Sequence, residues 1–131
     1  YIVCDSTLIP VKCATALQVI NVLPTGTSNL IALNDDYKVI PKNSTATGNV
    51  ISNDQDPESN TITATPQTTL VPGKGTLVLD ANGNYTFTPI NNFVGNVEVP
   101  YNACDNGTPQ ACSKATLYIT INCNPIHCLF N

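Results

Sequence analysis

With 131 residues the chain has room for one domain of ordinary size and a short extra piece, which excludes a large multidomain enzyme. Hydrophobic residues make up 42% of it and charged residues only 11%, enough to pack a core but thin material for a charged catalytic cleft. Lysine and arginine number 5 against 9 acidic residues, so no basic stripe exists to neutralise a phosphate backbone and nucleic acid is excluded as a partner.

The 17 threonines suit pleated strands and the 17 asparagines suit turns, while 10 scattered prolines would break any long helix. Six cysteines at close spacing read as local disulfides, which places the protein in an oxidising compartment outside the cell. No long apolar run predicts a membrane span and no signal-peptide pattern opens the chain, so the first residue is expected to be a processing boundary.

In chain order, the first feature is an internal echo. YIVCDSTLIPVKCATALQV at residues 1–19 resembles YNACDNGTPQACSKATLYI at residues 101–119, with Tyr1 matching Tyr101 and Cys4-Asp5 matching Cys104-Asp105. Cys13 matches Cys112 at an offset one residue shorter. The repeat length is that of one immunoglobulin-like sandwich, and each copy reads as a hairpin stapled near its mouth. Residues 1–22 are therefore expected to be the terminal hairpin of a preceding repeat. Residues 23–33, rich in Pro, Gly, Thr and Ser, read as a linker.

Residues 34–122 read as one antiparallel sandwich module, with strands predicted near Tyr37 to Ile40, Asn49 to Ile51, Thr61 to Thr65, Gly75 to Leu79, Tyr85 to Thr88, Val97 to Ala103 and Ala115 to Ile121. The sharpest hairpin signal is Asn82-Gly83, which can fill the positive-φ positions of a primed turn between alternating apolar residues. The five tyrosines are assigned to the sandwich core and its corners. Residues 123–131 form a cysteine-containing tail with no counterpart after the first copy.

Several steps along the module resemble one family. They are Asn34-Asp35-Asp36, the stretch Gly48-Asn49-Val50-Ile51 followed by Asn53-Asp54, the strand Gly75-Thr76-Leu77, the run from Gly83 to Pro89, and Phe93 with Gly95 ahead of Tyr101. Together they are similar to the cadherin-like or VCBS-type immunoglobulin-like repeats of large bacterial surface adhesins. The paired cysteines of the last hairpin are similar to those in surface proteins of Bacteroidetes. The resemblance implies a calcium-dependent extracellular array in which many modules extend a binding tip. The chain departs from the family at its acidic loop, which reads Asp54-Gln55-Asp56-Pro57-Glu58-Ser59-Asn60 in place of an Asp-Gly-Asp ending.

In that loop Asp54, Asp56 and Glu58 alternate, flanked by Asn53 and Asn60, and hard oxygen donors at such density suit calcium. An EF-hand is excluded, because its sixth and twelfth loop positions hold Ser59 and Thr65. The plain alternative is a solvated loop whose Asp and Asn make turns. The family arrangement would add Asp36 and Asp105, with Asp35, to a metal site; as residues alone these read as turn and cap positions.

The simplest disulfide pairing joins Cys4 to Cys13, Cys104 to Cys112 and Cys123 to Cys128. Each bridge closing a loop of roughly nine residues contributes about 2.5 kcal/mol. A rival reading takes Cys123, His127 and Cys128 as zinc ligands, though an adjacent His-Cys pair does not match structural zinc spacings. Asn43, Asn84 and Asn106 open Asn-x-Ser/Thr acceptor motifs, and Ser6 sits in an Asp-Ser-Thr triplet of the O-glycan type. One histidine, in the tail, and no nucleophile-elbow serine leave no triad. The sequence thus predicts a non-catalytic, all-β, immunoglobulin-like repeat of a surface adhesin, stalk or filament. Its expected partners are neighbouring repeats or subunits of the same protein, with surface glycans or proteins as further partners, and no membrane insertion. The alternatives are a carbohydrate- or protein-binding module and a fibre subunit completed by strand addition.

Overall fold

The computed structural model describes residues 2–5, 12–15 and 30–123. The first two strands, β1 (Ile2–Asp5) and β2 (Lys12–Thr15), form a two-stranded antiparallel sheet of their own that sets Cys4 directly opposite Cys13. The described residues from 30 onward form a sandwich of two four-stranded sheets. One sheet has the order β3 (Asp36–Pro41), β10 (Cys112–Asn122), β9 (Gly95–Cys104) and β5 (Thr63–Ala64). The other has the order β4 (Ala46–Asn49), β8 (Asn84–Pro89), β7 (Gly75–Leu79) and β6 (Gln67–Val71). The chain belongs to the all-β sandwich class, as its Thr and Val content and its period-two patterning require.

The two long strands β9 and β10 carry the alternation that places the core. Val97, Val99, Tyr101 and Ala103 point inward from β9, and Ala115, Leu117, Ile119 and Ile121 from β10, all buried. Leu77, Leu79, Tyr85 and Phe87 meet them from the facing sheet. Strand β3 runs parallel to β10, with Ile40 beside Ile121, so the N-terminal strand of the module lies along its C-terminal one.

Successive strands run up and down between two ends. The head end, where the chain enters at residue 30, gathers the start of β3, the loop 50–62, the β7–β8 turn and the loop 105–111. The foot end gathers the turns 42–45, 72–74 and 90–94 beside Asn122. Ile31 is buried and Ala32 bridges Gln55, so the last residues ahead of β3 already pack on the module.

Several local readings change. The second module strand covers Ala46–Asn49, ahead of its predicted place, because Val50 leaves the ladder to bond Gly83 by its backbone. Strand β6 was not predicted, since it buries no large apolar side chain: Leu70 faces solvent, and Gln67, Thr69 and Val71 are only half-buried. Pro66 and Pro72 bracket this edge strand. The Asn82-Gly83 hairpin is present, but Gly83 alone has positive φ (82°) and Asp80 pairs Asn84, so it is a three-residue loop with a glycine bulge. Of the tyrosines, Tyr85 and Tyr101 are core residues, whereas Tyr37 and Tyr118 stack face to face on the outer surface, ring centroids 5.1 Å apart. They occupy the same register position on parallel strands, and β3 presents that position outward.

Backbone crowding at the β7–β8 crossing generates a test. A Cβ on Gly75 would lie 2.3 Å from the Thr88 carbonyl oxygen and 2.7 Å from Pro89 Cα, whereas one on Gly73 meets nothing within 4 Å. Gly75→Ala is expected to cost about 2–3 kcal/mol in thermal melting, by overpacking backbone that cannot yield. Gly73→Ala, at φ 70°, should cost only about 1–2 kcal/mol for its left-handed backbone. Equal losses would show that the Thr88–Pro89 backbone yields to a methyl group at position 75.

Candidate cation site at the head end

The site is built around Tyr101, whose inward position on β9 carries its hydroxyl to the head end. That oxygen lies 2.9 Å from the Val50 carbonyl, 3.2 Å from the Asn34 carbonyl and 3.0 Å from Asp36 Oδ2. A hydroxyl has one proton to give, so three acceptors cannot all be served. A proton on Asp36 resolves the shortage, since the carboxyl can then donate to Tyr101 Oη while the hydroxyl donates to a carbonyl. The environment of Asp36 favours that proton: burial raises its pKa to about 6 against the opposing Tyr101 hydrogen bond, with the charges of Asp54 and Asp35 adding to the rise. Burial in turn raises the Tyr101 hydroxyl above its ordinary range, helped by the nearby charges of Asp54 and Asp36.

Asp54 enters from the loop 50–62. Its Oδ1 accepts the Asn34 backbone N–H at 2.7 Å, while the Asn34 side chain donates to the Asn53 carbonyl. Burial raises the Asp54 pKa to about 6, the Asn34 N–H opposing. Asp35 closes the other side, accepting the Thr116 backbone N–H at 2.8 Å. Asp35, Asp36 and Asp54 thus interact, bridged by Asn34, a residue noted in the sequence only as part of an opening motif.

The remaining acidic candidates divide. Asp56 makes a tight local turn, its Oδ1 accepting the Glu58 N–H at 2.7 Å, whereas Glu58 itself is exposed. Asp105 is 1% exposed and organises the loop 105–111, its Oδ1 accepting N–H groups of Ala111 at 2.8 Å and Gly107 at 3.1 Å. In the same loop Gln110 donates to the Asp105 carbonyl, and Asn106 Oδ1 accepts from Thr61. A buried aspartate inside a surface loop is not visible in sequence, because Asp in a turn is ordinarily solvated.

Whether this end fits calcium can be tested on its oxygens. Asp54 Oδ2, Asp56 Oδ2 and Asp105 Oδ2 are each buried and accept no hydrogen bond. A buried carboxylate oxygen without a partner is costly, and a hard cation is one remedy. Among the described residues, no three His, Cys, Asp or Glu side chains form a ready metal-binding group. Carboxylate, amide and carbonyl oxygens are the class of hard donor that calcium takes.

The other predicted sites fare variously. Cys104 and Cys112 are bonded, S–S 2.06 Å, at directly paired positions of β9 and β10. Cys4 and Cys123 are each held in a disulfide, which removes Cys123 as a zinc thiolate. Cys128, His127 and Ser6 lie outside the described residues, and for Cys13 only its place in the ladder is described. Asn84 lies in β8 with its Nδ2 on Asp80, while Asn43 uses its Oδ1 on the Asn92 N–H at 2.8 Å.

Comparison with known proteins places this architecture. No curated protein matches the chain in sequence. Among solved structures it is similar to the protocadherin gammaB7 EC3-6 cis-dimer, with 12% identity and TM-score 0.50 over 92% of this chain and 31% of that one. It is also similar to a nucleoside hydrolase-related hypothetical protein from Saccharophagus degradans associated with carbohydrate metabolism, with 15% identity and TM-score 0.50 over 66% and 22%. Human CDH23 EC21-23 matches at 18% identity and TM-score 0.49 over 72% and 36%. The chain therefore spans about a third or less of the length of these structures. Cadherin-like domains are extracellular and generally bind calcium. The description "bacterial cadherin-like domain" matches residues 21–123, and the chain belongs to that family.

Proposed function

We propose that the chain is a non-catalytic structural repeat of a secreted bacterial surface adhesin, stalk or filament, with residues 1–22 forming the last two strands of the preceding repeat. One observation carries this reading. The β1–β2 hairpin pairs Cys4 with Cys13 across the ladder as β9–β10 pairs Cys104 with Cys112, and each first cysteine is followed by an aspartate paired one step further on. Asp5 faces Lys12, and Asp105 bonds Ala111 through its backbone. Two hairpins of one design, a module length apart, support a tandem array.

If so, the module folds without the hairpin. A chain lacking residues 1–22 is expected to remain monomeric and to melt within about 0.5 kcal/mol of the full chain. Unfolding on deletion would make the hairpin part of a single domain and remove the array.

Calcium belongs to this reading, drawn to carboxylates among Asp54, Asp56, Asp36 and Asp105, no three of which already stand together as a metal-binding group. Bound there, it would supply the positive charge that the unsatisfied oxygens lack and stiffen the junction where the chain enters. Asp36 and Asp54 give the experiment a signature in pH. Their folded pKa values, about 6, lie above the unfolded value near 3.8, so the folded state holds the extra protons. Their contribution to stability is full below about pH 4 and is lost as pH rises through 6. The metal-free chain should accordingly lose melting temperature between pH 4 and 7, and calcium, which favours the ionised forms, should restore it. Saturating calcium at a hundred times its dissociation constant adds about 2.7 kcal/mol. Asp54→Asn should abolish that gain. An unchanged midpoint, together with no metal by elemental analysis, would sink calcium as a ligand.

A second reading, a carbohydrate-binding module, is favoured by the Tyr37 and Tyr118 stack on the outer sheet face. Tyr37 is 77% exposed, with Val39 at 64% beside it. An exposed aromatic face can stack on a sugar ring. Tyr37→Ala should then erase glycan binding while leaving the fold intact; a glycan array blank for the unaltered chain would end this reading.

A further inference from the structure

Of the 17 asparagines, only Asn82 and Asn106 precede a glycine. A glycine there puts no side chain in the way of its own backbone nitrogen, so that nitrogen can reach the neighbouring carboxamide carbon across a five-membered ring. The two pairs sit in opposite surroundings. Asn82 stands exposed at the tip of the β7–β8 turn, and among the described residues its carboxamide makes no hydrogen bond. The Gly83 N–H is held only by the neutral Asp80 carbonyl, at 3.1 Å. Asn106 is tied on both sides of the same reaction: its Oδ1 accepts the Thr61 N–H at 2.9 Å, and the Gly107 N–H donates to the Asp105 carboxylate at 3.1 Å. Removing the proton from Gly107 would set an amide anion against that carboxylate, which is almost wholly buried. The Cys104–Cys112 bond closes the same loop.

We propose that Asn82-Gly83 is a self-modifying site, whose exposed carboxamide is converted to a carboxylate by its own backbone, and that the loop 105–111 keeps Asn106-Gly107 from the same reaction. The Gly83 nitrogen gives up its proton to hydroxide and attacks Asn82 Cγ. The new N–Cγ bond closes a succinimide ring as the Cγ–Nδ2 bond breaks, and Nδ2 leaves as ammonia with a proton from water. A water molecule then opens the ring. Cleavage at Cγ leaves aspartate, whereas cleavage at the residue 82 backbone carbonyl leaves isoaspartate, in which the main chain runs through the side chain and is one methylene longer. In sum one water is consumed, one ammonia is released and nothing is oxidised. The longer product does not fit this turn. A Cβ on Gly83 would lie 2.6 Å from Ile51 Cγ1, so residue 83 has no room to shift toward Ile51. The Gly83 carbonyl accepts the Val50 N–H at 2.8 Å, and the Val50 carbonyl accepts the Tyr101 hydroxyl. Isoaspartate at position 82 therefore pulls on the Tyr101 anchor, while aspartate adds charge alone.

Warming the full chain at mildly alkaline pH and mapping its peptides by mass spectrometry follows both sites at once. Acid and amide differ in mass, and isoaspartyl peptides accept a methyl group from a protein isoaspartyl methyltransferase. In the folded chain Asn82 is expected to convert at least about tenfold faster than Asn106, whereas in the reduced chain unfolded in urea the two should convert alike. Asn106 keeping pace with Asn82 in the folded chain, or Asn82 staying intact there while it converts in urea, would overturn the proposal. A slow Asn106 in urea as well would overturn the protection by its loop. The isoaspartyl chain, separated by chromatography, should melt below the fresh chain, and the N82D chain should melt with the fresh one. An isoaspartyl chain that melts with N82D would overturn the pull on Tyr101.

Discussion

The hydroxyl of Tyr101 has one proton and three acceptors, drawn from three different segments of the head end. That contact holds the incoming chain at Asn34, the start of β3 at Asp36 and Val50, just past β4, in one place. It also forces the acidic side chains together. With Asn34 fixed, Asp54 must reach its N–H from the neighbouring loop, and Asp36 is held where burial disfavours its charge. A hydrogen bond worth about 1 kcal/mol net of its exchange with water thus fixes the geometry of a much more expensive electrostatic arrangement. The cost is tolerable because it is spent at the surface end of the sandwich, where a cation or a neighbour can relieve it.

The β9–β10 hairpin is the frame on which this rests. Its strands of 10 and 11 residues supply the centre of one sheet and half of the core. The loop joining them is secured twice, by the Cys104–Cys112 bond at its neck and by Asp105 inside. The disulfide sits one pair below the aspartate, so the carboxylate of Asp105 is presented from a fixed backbone. Local covalent bracing of this kind keeps the end surface of the module shaped.

Much of the frame was legible in the residues. Alternation in Leu117, Ile119 and Ile121, and in Leu77, Leu79, Tyr85 and Phe87, signals strands because burial on one face requires period two. Pattern alone does not say which face of β3 is inward, so it groups Tyr37 with the core and corner tyrosines; the parallel pairing with β10 places it on the outer face. Strand β6 was illegible for the opposite reason: an edge strand with little buried has no alternation to show. The acidic residues were recognisable as candidates, but their division was not. Burial of Asp105 and exposure of Glu58 arise from loop backbone paths, which sequence spacing does not encode. The same holds for Tyr101, whose role depends on three segments far apart in the chain.

The two prolines around β6 have a consequence that reaches past the single module. In the tandem array proposed above, modules strung on one polypeptide would meet at about millimolar effective concentration, where even feeble edge-to-edge pairing would be favoured. Gln67–Val71 is an uncharged edge strand of high β-propensity, the sort that recruits its own kind into laddered aggregates. Pro66 and Pro72 leave no backbone donor at either margin and hold the adhesive stretch to five residues. Repetition multiplies every sticky edge by the number of copies, and this edge is kept too short to propagate.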